Sequence, residues 1–251
     1  MRRPWGVPRS VQPCAWRGKF RRHCIQSWSW PAAEFADGES CIEERACLFD
    51  FHLFSSGCMD DGSLTMTDRE QLHHDGYALL RQAVPVEWLD GLRTLFDAGI
   101  TPSDKWPVPR GADWHHSLLD DDAMIQAVCR LPQLLAVVGE LIGERFFLAQ
   151  VEGREPLPGG GHQQLHRDLS AQRPGDIANA MVYFDDYGPD NGATRIVPSS
   201  HRPPAGEPPF DVNDESRSVQ LAGAAGDILV FDVDLIHAGS LNRLGTRRRS
   251  I

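Results

Sequence analysis

Apolar residues change their spacing partway along this chain, and the change divides it into a helical part and a strand-rich part. Val86, Leu89, Leu92, Leu95 and Phe96 fall at helical intervals between Pro85 and Gly99, which predicts a helix opened by proline and closed by glycine. Upstream, Thr67-Asp68-Arg69-Glu70 is a capping-box pattern for a short helix ending near Gly76, and Tyr77-Ala78-Leu79-Leu80 then reads as a strand. Met124 to Gly143 is helical again, apolar at Ile125, Val128, Leu131, Leu134, Leu135, Val138 and Leu141, with a break at Pro132. From Arg145 the pattern turns toward short strands. Phe146–Glu152, Gln163–Arg167, Ile177–Tyr183, Ala193–Val197, Ser218–Leu221 and Asp227–Val233 are expected strands, separated by turns such as Gly159-Gly160-Gly161. Residues 100–119, with Pro102, Pro107, Pro109 and Gly111, are expected to form a loop carrying Trp106, Asp113, Trp114, His115 and His116. We read that loop as a connection tucked against the sheets rather than a lid. Short strands with Gly/Pro turns behind a helical opening predict a mainly β sandwich or barrel with flanking helices.

Composition sets limits on function. The 251 residues are 41% hydrophobic, enough for a substantial core. No apolar run approaches the ~20 residues that cross a bilayer, so no membrane partner is expected. The net charge is −10, and it lies entirely beyond residue 63, where 17 Lys/Arg face 27 Asp/Glu. Such a balance repels phosphate backbones at long range and argues against a nucleic-acid partner. Residues 1–63 are neutral, with Arg2, Arg3, Arg9, Arg17, Lys19, Arg21 and Arg22 at the start and aperiodic tryptophans. They are expected to be disordered or a non-native extension, with the folded domain spanning 64–251. Five of the six cysteines lie in the first 58 residues without a Cys-x-x-Cys pair, so the thiols are read as reduced, in a cytoplasmic protein.

The candidate chemistry lies in the strand-rich part. His166-Arg167-Asp168 places a histidine and a carboxylate two apart, which on a strand turns both to one face. With the distant His237 they make two imidazoles and one carboxylate, a set that binds non-haem Fe(II) on one face and leaves positions open. An arginine beyond the last histidine adds a cation that can hold a dicarboxylate bidentately. The run Arg247-Arg248-Arg249 offers three choices. Alternation puts Arg248 on the face opposite to Arg247 and Arg249, so only one choice of face can be right.

The series His166, Asp168, Asp190-Asn191-Gly192-Ala193-Thr194-Arg195-Ile196-Val197-Pro198-Ser199-Ser200-His201, Gly226-Asp227-Ile228-Leu229-Val230-Phe231, His237, Asn242 and Arg247-Arg248-Arg249 resembles the phytanoyl-CoA dioxygenase family of Fe(II)/2-oxoglutarate oxygenases, over roughly residues 66–251. The resemblance implies a double-stranded β-helix (a cupin-like jelly roll). It implies Fe(II) held by His166, Asp168 and His237, and 2-oxoglutarate held at its distal carboxylate by Arg248. Gln150 and Thr194 become further cosubstrate contacts, and His201 a structural residue, in a segment that has Ser199 where the family has glycine. The implied reaction consumes O2 and 2-oxoglutarate, releases succinate and CO2, and hydroxylates a small-molecule substrate. Family members that transfer halide lack the carboxylate, so Asp168 implies hydroxylation. The chain ends three residues after Arg248, so a C-terminal truncation within the last strand is expected. Two other readings share the ligand set: a jelly-roll binding protein without turnover, and a nucleic-acid demethylase.

Overall fold

The computed structural model describes residues 66–106, 110–168, 176–208 and 210–251, with side chains from Arg69 onward. The extension expected over residues 1–63 lies outside that description, as do the side chains of the expected Thr67–Asp68 cap. The opening elements follow the apolar pattern: α1 Met66–Asp75, β1 Tyr77–Leu80, a 3-10 turn Val86–Trp88, and α2 Leu89–Ala98. Gly76 joins α1 to β1 at φ 84°, and a Cβ there would meet the His201 ring at 2.4 Å, so glycine is required on both counts.

Next come β2 Trp114–Ser117, α3 Ala123–Val128, α4 Pro132–Ile142 and β3 Gly153–Pro156. Asp122 caps α3 by accepting from the Met124 and Ile125 amides, and Pro132 begins α4, the placement in which its missing N–H costs nothing. Two expectations need correction here. Trp114–Ser117 is a strand within the stretch read as a loop, pairing antiparallel with β3. Phe146–Glu152 is irregular, with Phe147 and Leu148 largely exposed, and the strand lies just after it. The reason is steric: a Cβ at Gly153 would meet the Phe96 ring and Ser117 Cβ at 2.8 Å, so the close approach to β2 is open where the glycine stands.

The remaining strands are β4 Ala178–Val182, β5 Arg195–Ile196, β6 Val219–Gln220, β7 Ile228–Asp232 and β8 His237–Ala238. β7 is central in one antiparallel sheet of order β1-β7-β4. Its alternation serves two cores. Ile228 and Val230, with Ala78, Leu80, Val182 and Phe184, pack under the helices, while Leu229 and Phe231, with Tyr77, Tyr183 and Tyr187, pack on the other face. Each such fully buried apolar side chain stabilises the fold by ~1.5–3 kcal/mol. Beyond β4 the layer continues through the chain terminus: Ile251 and Val182 exchange backbone hydrogen bonds, and Arg154 and Ser250 do likewise. Residues 249–251 are thus bonded on both sides, and β3 and β2 follow. A second antiparallel sheet has the order β6-β5-β8. Among the described residues, Gln163–Arg167 forms no regular strand; it meets β8 through the single bridge His166–His237.

Candidate metal centre

His166 and Asp168 are delivered by a segment that runs alongside β8 without a full ladder. The backbones of His166 and His237 exchange two hydrogen bonds of 3.0 Å, which puts their side chains on one side with ring centroids 4.8 Å apart. Nearby, the Gln163 side-chain oxygen accepts from the Gly239 amide at 2.9 Å and the Gln163 amide donates to the Gly239 carbonyl at 3.0 Å. A side chain thus fills a place that a strand partner would occupy, which shortens the regular pairing.

The donor atoms of His166, Asp168 and His237 all lie within 4.8 Å of one another. Each histidine presents Nε2 to the carboxylate at 3.6 Å. Behind them, His166 Nδ1 is 2.7 Å from the Gln164 carbonyl and His237 Nδ1 is 2.9 Å from the Leu235 carbonyl. A carbonyl can only accept, so Nδ1 carries the proton and the Nε2 lone pair is left for a metal. Asn179 donates to Asp168 Oδ2 at 2.7 Å and orients the third donor. The electrostatics are those of three donors crowded together. Contact with Asp168 raises the proton affinity of His166, against burial and the Arg154 charge, and contact with His166 lowers that of Asp168. Burial lowers the proton affinity of His237, and the charges of His166 and Arg154 act in the same direction. Two neutral imidazoles and a carboxylate, each fixed from behind, fit a divalent iron-type ion.

The three consecutive arginines part company as alternation predicts. Arg247 pairs with Glu155 and Asp97, and Arg249 pairs with Asp185 at 2.9 Å and Asp97 at 3.0 Å. Arg248 points the other way and is 2% exposed. Its Nη1 donates to the Gly192 carbonyl at 2.5 Å, its Nε has no partner, and it makes no ion pair among the described residues. The guanidinium lies 4.6 Å from the Tyr187 ring centroid and 5.6 Å from that of Trp114. Gly192 sits at φ 92° with Ser240 O 2.7 Å from where a Cβ would be, so the turn that offers this carbonyl requires glycine on both counts. A buried guanidinium without a counter-ion is costly, and an incoming carboxylate would relieve that cost.

The other sequence-selected residues divide. Thr194 is buried with Oγ1 3.6 Å from Met181 Sδ, and Met181 shares its face of β4 with Asn179. Gln150 is exposed and bonds Glu152, because the strand expected to turn it inward does not form there. His201 is buried against Gly76. A cleft of 280 Å³ lined by Thr101, Ser103, Trp114 and His116, among others, shares Trp114 with the Arg248 surroundings, but none of the three metal donors lines it. Asn179, Tyr187 and Trp114 were not singled out from the sequence as parts of the site. Only Trp114 left a signal there, as a large aromatic group in a polar stretch.

Comparison with known proteins agrees with this picture. The family model for phytanoyl-CoA dioxygenase (PhyH) matches residues 72–250. The Fe(II)/2-oxoglutarate-dependent dioxygenase nvfF of Aspergillus novofumigatus is 35% identical over 102 residues, which is 37% of this chain and 33% of that protein. Dioxygenase FUM3 of Gibberella moniliformis is 26% identical over 207 residues, 74% of this chain and 63% of that one. The chain therefore spans between a third and just under two thirds of these relatives. Among solved structures, HygX of Streptomyces hygroscopicus with nickel, 2-oxoglutarate and hygromycin B bound superposes with a TM-score of 0.61 at 17% identity, covering 74% of this chain and 85% of that one. AviO1 from Streptomyces viridochromogenes gives 0.55 at 22% identity, covering 78% and 94%. At these identities the structural likeness concerns the fold alone.

Proposed function

Because the chain belongs to the phytanoyl-CoA dioxygenase family, we propose that it is an Fe(II)- and 2-oxoglutarate-dependent dioxygenase that hydroxylates a small molecule and releases succinate and CO2. The observation that carries this reading is the pairing of a three-donor cluster within 4.8 Å with a buried arginine that lacks a counter-ion. The two sheets are read as the halves of a double-stranded β-helix, with residues 64–251 as one catalytic domain. Their meeting is supported by the Phe231 ring, from the first sheet, lying 4.9 Å from that of His237 in the second. The cytoplasmic setting rests on cysteine usage, and Cys129 is a free thiol.

In this reading His166 and His237 ligate through Nε2, each held by its backbone carbonyl, and Asp168 is held by Asn179. When bound there, iron would supply oxygen activation coupled to oxidative decarboxylation of 2-oxoglutarate. Arg248 takes the distal carboxylate of the cosubstrate, and the flanking Trp114 and Tyr187 rings hold the guanidinium by cation–π contact and keep water from it. Thr194 lines the same interior. Asp168 occupies the place a halide would need, which favours hydroxylation over halogenation. Succinate release gives this proposal a simple test. Wild-type protein given Fe(II), 2-oxoglutarate and oxygen should release succinate, and His166→Ala should release none. Equal release from both would remove the reading, and none from the wild type would favour a binding protein without turnover.

A further inference from the structure

The face of β4 that carries Asn179 to the proposed metal ligands continues, one residue past the strand, to Tyr183. Tyr183 bridges Ser250, Ser250 bridges Arg154, and Arg154 pairs with His116. Residues directly opposite in an antiparallel pair share a face. Arg154 therefore points onto the same interior wall as Asn179, Tyr183 and Arg248, the last lying two residues before Ser250. Unlike Arg248, its side chain is 46% exposed, so it stands toward the open side of the wall.

Its ion-pair partner is Glu152, and Glu152 is shared. Arg110 donates to Glu152 Oε2 at 2.5 Å while Arg154 holds Oε1, and the Glu152 side chain is only 8% exposed. Arg110 in turn lies 4.9 Å over the Trp106 ring and has its Nε unpartnered. Two guanidiniums on one carboxylate leave one positive charge over. In the loaded site the divalent metal, the Asp168 carboxylate, the two carboxylates of 2-oxoglutarate and the Arg248 guanidinium cancel. The surplus at Arg154 is not consumed by the cosubstrate.

We infer that Arg154 is a substrate-specificity residue that receives a carboxylate or phosphate group of the primary substrate at the mouth of the metal centre. This rests on the proposed roles of the three donors and Arg248, and it adds the charge of the substrate. A half-exposed arginine with a shared counter-ion can turn to an incoming oxyanion without leaving a buried charge unpaired. Glu152 then keeps Arg110, and the displaced contact is replaced by a stronger one.

The test is calorimetric binding to protein saturated anaerobically with Fe(II) and 2-oxoglutarate. Phenylacetate, phenyl phosphate and neutral phenylacetamide serve as probes that share one ring and differ in head group. Wild type should bind at least one anion in preference to the amide, and Arg154→Gln should weaken that anion about tenfold or more while leaving the amide unchanged. Which anion wins separates a carboxylate substrate from a phosphate one. Glu152→Gln, which frees Arg154, should tighten the same anion. Equal anion affinity in wild type and Arg154→Gln, or no anion preference in wild type, overturns the inference. The 2-oxoglutarate isotherm is recorded separately. Its loss in wild type would defeat the functional reading, whereas its loss in Arg154→Gln alone would assign Arg154 to the cosubstrate and overturn the substrate role.

Discussion

The guanidinium of Arg248 lies 4.6 Å from the centre of the Tyr187 ring, buried and without an ion pair among the described residues, while the arginines on either side are each tied to two carboxylates. The three side chains have the same chemistry and are told apart only by face. Arg248→Lys should raise the apparent Kd for 2-oxoglutarate about tenfold or more, since lysine loses both the bidentate fork and the ring stacking. Arg247→Lys should leave that Kd within about twofold, because its side chain lies on the face opposite to Arg248, held by Glu155 and Asp97. Isothermal titration on the metal-loaded protein checks both, and the reverse order of effects would move the anchor to Arg247.

Asn179 offers a test of how the ligands are held. It touches Asp168 from β4, and the strand itself does not depend on its amide. Asn179→Ala should weaken Fe(II) binding about 10–100-fold, the usual cost of losing a group that orients a ligand. The melting temperature of the metal-free protein should change little. Competition with a chelator reads the affinity, and an unchanged value would mean that Asp168 is oriented without Asn179.

Acid stability should carry the mark of His116. Burial pushes its pKa down to about 4, against the charge of Glu152, and neither ring nitrogen has a partner. Above the unfolded value of 6.5 both states are neutral, and the contribution to stability is fully present. As pH falls below 6.5 the unfolded chain binds a proton that the folded protein refuses until about 4, so stability drops through that window. The loss at pH 4.5 is roughly 2 kcal/mol. Urea unfolding at pH 7 and pH 4.5 should show a smaller drop in His116→Gln than in wild type. Equal drops would mean that the ring is protonated in the fold.

Local pattern made the helices and the general position of the donors legible. Apolar spacing with Pro85, Gly99 and Pro132 marks α2 and α4 closely, and the His-x-Asp spacing with His237 picks out the three donors that the fold brings within 4.8 Å. The less legible parts depend on partners distant in sequence. Trp114–Ser117 forms a strand because Gly153 lets β3 approach, and Phe146–Glu152, more apolar, does not. Asn179, Tyr187 and Arg154 acquire their places through cross-strand neighbours that no spacing rule names. Alternation, being local, separated the face of Arg248 from that of its neighbours, while the choice between the faces came from the family resemblance and the aromatic surroundings were not legible at all.

In the proposed function His166, Asp168 and His237 hold an iron to which 2-oxoglutarate binds beside Arg248. Anaerobic addition of Fe(II) and then 2-oxoglutarate to the metal-free protein, followed by visible absorption, tests it most directly. A weak charge-transfer band should appear only after both additions, be lost in His166→Ala, and require more 2-oxoglutarate to develop in Arg248→Ala. A wild-type protein that binds Fe(II) but develops no band with 2-oxoglutarate, or a band that persists in His166→Ala, would contradict it.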